Sequence, residues 1–237
     1  MRRKNRNLLL ACLALVVVYL IWLAYFAFPD VTVRYRIDTN FEVDGSPAKA
    51  TAVWEIIYKS HPTMNGSWKG ITTRMNTDAA IAKLADGGFL FIRVDSDDLN
   101  YYRYQISEWN YPNLIPLKLL HLERAGDRET IDALRKAASE RRTMSFGLEL
   151  LPKLWILPDP KDPTTLYEPE VCDRQARCSV RFVKGTITFV RDRDSFDITS
   201  VFPWLATPQA LWSKAQIEGL PPTQEYPATY MFTRRIR

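Results

Sequence analysis

Polar and apolar positions follow three regimes along this chain. The first is uninterrupted: Leu8 to Phe28 is twenty-one residues without a charge, a glycine or a proline, and thirteen of them are Leu, Ile, Val or Phe. At 1.5 Å of rise per residue such a helix is about 31 Å long, close to the thickness of a bilayer's hydrocarbon core. Those residues alone favour insertion by about 5 kcal/mol. Tyr19, Trp22 and Tyr25 fall toward the outer end, where amphipathic rings sit at headgroup level, and Pro29-Asp30 closes the helix. The pattern predicts a transmembrane helix over 8–28. Arg2, Arg3, Lys4 and Arg6 make residues 1–7 a basic tail that stays cytoplasmic, so residues 31–237 are expected outside the cytoplasm.

Two other readings of the same stretch fit less well. A cleaved signal peptide has a shorter apolar run and small residues at its cleavage site, which Tyr25-Phe26-Ala27-Phe28 does not supply. Leu9-Leu10-Ala11-Cys12 loosely fits a lipid-attachment signal, yet only four apolar residues precede the cysteine and sixteen follow it. Cys12 therefore reads as a small apolar residue facing lipid.

The second regime has period two. From Val31 to Val43 the odd positions are Val, Val, Tyr, Ile, Thr, Phe and Val, and the even ones are polar. Asp44-Gly45 suits a tight reversal, after which Ala48, Ala50, Ala52, Trp54, Ile56 and Tyr58 continue the apolar face. A long hairpin directly outside the membrane is expected. Lys59 to Thr77 reads as a loop or as a second, irregular hairpin turning at Asn65-Gly66, a turn dipeptide before it is a glycosylation acceptor with Ser67. Ala79 to Val94, with Asp86-Gly87-Gly88 between its halves, predicts another hairpin in preference to a short helix capped by Thr77. Met144 to Leu157 is strand-like, Pro158 to Pro169 a connection and Val180 to Val190 a strand. Phe202-Pro203-Trp204-Leu205 is an apolar plug, Thr207 to Gln216 suits a short helix, and Tyr230 to Arg237 suits an edge strand.

The third regime, period 3.6, occurs once, at Asp127 to Arg142. Asp127 is placed to cap, acids fill the first turn, and Arg135, Lys136, Arg141 and Arg142 lie toward the end. Its apolar stripe, Ile131, Leu134, Ala137 and Ala138, is thin, so a surface helix is expected. The fold class is thus one N-terminal transmembrane helix followed by an α+β, predominantly antiparallel β-hairpin domain over 31–237.

Charge alters the choice of partner. The formal charge of +5 suggests nucleic acid, but the tail holds four basic residues, and the rest balances 28 basic against 27 acidic side chains. Nucleic-acid binding is not expected. Outside the expected membrane span the cysteines are Cys172 and Cys178, which in an oxidising compartment predict a short structural disulfide. A redox pair or metal half-site would have C-x-x-C spacing or a nearby histidine.

Candidate chemistry is sparse. The two histidines, His61 and His121, lie in no H-E-x-x-H pattern, and no nucleophile elbow, P-loop or dinucleotide fingerprint occurs. Nine glycines in 237 residues leave little for backbone-cradled phosphates. Asp95-Ser96-Asp97 begins like a calcium loop but lacks the glycine at position 6 and carries Ile106 where the bidentate acid belongs. No cofactor or metal is expected. Tyr101, Tyr102, Tyr104, Trp109 and Tyr111 form a dense aromatic cluster that either packs on the core or stacks on a sugar or a protein. Carboxylate pairs of the kind that cleave glycans have no fixed spacing and stay open.

Four patches taken in order, Ala52-Val53-Trp54-Glu55-Ile56, Asp86-Gly87-Gly88-Phe89-Leu90-Phe91, Leu151-Pro152 leading to Asp159-Pro160-Lys161-Asp162-Pro163-Thr164, and Phe202-Pro203-Trp204-Leu205, carry a family likeness. Together they resemble an uncharacterised family of bacterial, largely proteobacterial, proteins with an amino-terminal hydrophobic segment and a β-rich domain. The likeness spans about Val31 to Leu205 and implies a bacterial envelope location, with no activity to carry over. The cysteine pair and the extension after Leu205 depart from it.

The expected protein is a single-pass inner-membrane protein, held in the lipid bilayer by residues 8–28, whose periplasmic domain binds or scaffolds another envelope protein. The alternatives are an anchored glycan-acting hydrolase using a carboxylate pair and a noncatalytic cell-wall glycan binder using the Tyr101 to Tyr111 cluster.

Overall fold

A computed structural model describes residues 12–20, 30–60, 71–92, 94, 112–123, 125–162, 165–173, 178–192, 198–202 and 233–234. Residues 12–20 form helix α1, and every one of its nine side chains is exposed. Among the described residues no helix is long and apolar enough to cross a membrane. The remainder of the expected span, residues 8–11 and 21–28, lies outside the described residues.

The domain is built on β1 (Val31–Val43) and β2 (Ser46–Ser60). They pair antiparallel from Val43 opposite Ser46 to Val31 opposite Tyr58. Asp44 and Gly45, with φ of 48° and 80°, supply the two positive φ values that match the twist of the strands. Burial alternates strictly along β1, as its period-two pattern requires. Val33, Tyr35, Ile37, Trp54, Ile56 and Tyr58 form the centre of the core, each at 0% exposure. Burying side chains of this size contributes about 2 to 3 kcal/mol apiece. Tyr35 meets Trp54 edge to face, with ring centroids 5.7 Å apart.

The other strands extend this hairpin on both sides. They are β3 (Ile71–Asp78), β4 (Ala80–Lys83), β5 (Phe89–Ile92), β6 (Thr143–Phe146), β7 (Leu154–Leu157), β8 (Val171–Cys172), β9 (Val180–Phe189) and β10 (Thr233–Arg234). Their order across the sheet is β6-β9-β1-β2-β4-β5-β7, with β3 beside β2, β10 beside β3 and β8 beside β9. Every described pairing is antiparallel except β8 with β9. The β-dominated, mainly antiparallel domain is therefore as the alternation predicts. β2 and β3 pair antiparallel, as the second of the two readings of Lys59 to Thr77 expected, while Asn65-Gly66 lies outside the described residues, and β4 and β5 form a further hairpin across Asp86-Gly87-Gly88.

Helices cover both faces. The longest helix among the described residues, α3 (Asp127–Ser139), packs across β1 and β2, with Ile131, Leu134 and Ala137 buried. The short α2 (Ile115–Leu119) follows the backbone carbonyls that the core tyrosines hold. On the opposite face, α4 (Ile198–Val201) brings Phe202 against Phe89 and Phe91, at centroid distances of 4.9 and 5.1 Å. That second cover explains why all four residues of β7 are buried.

Three local expectations are corrected. Asp127 does not cap α3; Gly126 holds the cap position without a side-chain bond, and Asp127 is the first helical residue. The helix stops at Ser139, not Arg142, because Arg141 adopts φ of 50° and the amides of Arg141 and Arg142 close back on Ala138 and Ala137. Met144 to Leu157 is not one strand. Gly147 and Pro152 interrupt it, and β6 and β7 lie at opposite ends of the strand order.

Candidate functional site

The hairpin has a root, where the chain enters β1, and a tip at Asp44-Gly45. Thirteen residues of β1 at about 3.3 Å each separate them by roughly 43 Å. Candidate chemistry divides between these ends.

At the root, two core tyrosines grip the chain that follows the aromatic cluster. Tyr35 donates its hydroxyl to the carbonyl of Pro112 at 2.5 Å, and Tyr58 donates to that of Asn113 at 2.8 Å. Asn113 is 1% exposed and donates Nδ2 to Thr73 Oγ1 at 2.9 Å. Its Oδ1 has no hydrogen-bond partner among the described residues. Burial pushes both phenols far above their usual range, with the neighbouring Tyr58 adding to the effect on Tyr35. They remain neutral donors at any ordinary pH, so this grip does not titrate.

The polar face of the root carries a half-buried ion pair. Glu55 is 4% exposed, although it occupies an outward position of β2. Arg34, directly opposite on β1, donates Nε to its Oε2 at 2.5 Å, and Asn76 of β3 donates to Oε1 at 3.2 Å. Arg34 also donates Nη1 to the carbonyl of Arg191 at 3.1 Å, tying the end of β9 to β1. Lys59 and Asp30 pair at 2.9 Å where the chain enters the sheet. Further along, burial alone would raise the Asp38 carboxyl, but bonds from Lys49, Thr51 and Arg36 outweigh it and hold the group below the usual carboxylate range.

At the tip, Cys172 and Cys178 form the expected disulfide, their Cα atoms 6.2 Å apart. It closes the short connection between the parallel β8 and β9, where Val171 opposes Val180 and Cys172 opposes Arg181. Parallel neighbours ordinarily need a connection of a dozen or more residues, so this one is stapled where geometry is least favourable. Tyr167 lies at the same end, its phenol raised by burial first and then by Asp44 and Asp86.

The aromatic cluster Tyr101, Tyr102, Tyr104, Trp109 and Tyr111 lies outside the described residues, as do Asp95 to Asn100 and His61. His121 is exposed in the turn after α2. Among the described residues no three His, Cys, Asp or Glu side chains gather as a metal ion would need. The Arg34-Glu55-Asn76 group was not singled out from sequence, although the Asp44-Gly45 turn already sets Arg34 opposite Glu55.

Compared with known proteins, the chain matches no family model, no curated protein and no solved structure.

Proposed function

We propose that the chain is a single-pass membrane protein of the bacterial cell envelope, anchored through residues 8–28, whose β-rich domain stands in the periplasm and binds or scaffolds another envelope protein. The observation that carries this reading is α1. Leu13, Leu15, Val16, Val17, Val18, Tyr19 and Leu20 are between 46% and 69% exposed, although the domain has an extensive apolar core beside which they could have packed. An apolar helix that its own domain leaves uncovered is a helix that lipid solvates. The long hairpin beginning at Val31, packed on the core along its whole apolar face, supports a rigid spacer between the anchor and the tip.

Two measurements test it together. The full chain resists alkaline extraction from membranes, and its domain becomes protease-sensitive only when the periplasm is opened. A photo-crosslinker on the exposed polar face, at Thr51, recovers one defined envelope protein that the same probe at Arg128 on α3 does not. Extraction by alkali overturns the anchor; recovery of no protein at Thr51 overturns the scaffold.

A further inference from the structure

The root of the sheet gathers guanidinium groups from separate elements. Arg141 and Arg142 follow α3 and precede β6, and Arg191 follows β9. Backbone bonds bring these segments side by side with β1: Phe189 N donates to Arg142 O at 2.9 Å, and Val190 N donates to Arg34 O at 2.9 Å. Arg74 extends the same end on β3, opposite Ile57 of β2. Arg74, Arg141, Arg142 and Arg191 are all exposed. Arg142 pairs with Glu140 and Arg34 with Glu55, while Arg74, Arg141 and Arg191 have no carboxylate partner among the described residues. Asp192, beside Arg191, is an exposed acid at this rim.

Arg141 also holds a backbone conformation that suits glycine, with φ of 50° at the position ending α3. The chain thus keeps a long cationic side chain where its backbone would be more at ease without one. By strand rise, Arg34 lies roughly 13 Å beyond Asp30. That distance is comparable to the reach of an arginine plus one Debye length from the surface where the chain enters the sheet.

We infer that Arg74, Arg141, Arg142 and Arg191 form a rim that seats the domain on the phosphates of anionic lipids in the membrane holding its anchor. Guanidinium groups match phosphate by bidentate hydrogen bonding, and each basic residue near an anionic surface strengthens binding about fivefold. The inference rests on the anchor proposed above.

The test uses the full chain in nanodiscs of phosphatidylcholine, with and without phosphatidylglycerol, and follows hydrogen exchange of peptides spanning residues 139–143 and 189–192. With phosphatidylglycerol these peptides exchange about fivefold or more slowly, the effect fades at high salt, and the tip around Asp44 is unchanged. The Arg141→Ser, Arg191→Ser double variant loses the effect, and the corresponding Lys variant retains most of it. Equal exchange in both lipids, or slowing that survives the Ser variant, overturns the rim while leaving the anchor standing. A chain that alkali strips from the discs overturns both.

Discussion

A single atom's worth of space decides the fate of Gly185. A Cβ there would meet the Phe146 ring at 2.3 Å, because the ring of β6 lies directly over the β9 backbone. Gly185→Ala should destabilise the domain by about 1 to 3 kcal/mol, read as a lower urea midpoint. Gly147→Ala is the control, since its Cβ would meet only the flexible Glu149 side chain. Asp38 gives a pH test. Its carboxyl is held below the unfolded value, so its contribution is present at neutral pH and disappears as pH falls below about 4, through the folded pKa. Asp38→Asn should cost less than about 1 kcal/mol at pH 7 and leave the variant and the natural chain equally stable in strong acid.

Elements show which parts of this fold can be read from sequence. Strict alternation over Val31 to Val43 and a turn dipeptide set the register of the first hairpin, and with it the pairing of Arg34 with Glu55. Phe89 to Ile92 could be placed by its Asp-Gly turn. Met144 to Leu157 could not, since a run of apolar residues does not say which strand it joins. Its two strands reach partners as distant as Thr188 and Phe89. The end of α3 was hidden for a local reason: Arg141 does what glycine ordinarily does. The root arginines come from β3 and from the segments after α3 and after β9, which only the sheet order brings together. The disulfide was legible, but its task was not. Cys172→Ser should cost about 2 kcal/mol by chain-entropy reasoning, with faster amide exchange confined to β8 and the start of β9.

At the scale of the molecule, the buried apolar residues form one cluster, to which α2, α3, α4 and the central strands all contribute. Native-state hydrogen exchange should therefore find amides of β1 and β5 opening at the same denaturant concentration. Separate openings would mean two cooperative units instead of one. The central place of the first hairpin has a further consequence. Ribosomes deliver the middle of this sheet before either border exists, and β9, which must close one flank of β1, emerges only after Val180 has been made. Until then a nascent chain carries bare ladder groups along the β9 side of β1, the edge of its most apolar ribbon, the condition in which unfinished proteins aggregate. A holding chaperone during synthesis would meet that need.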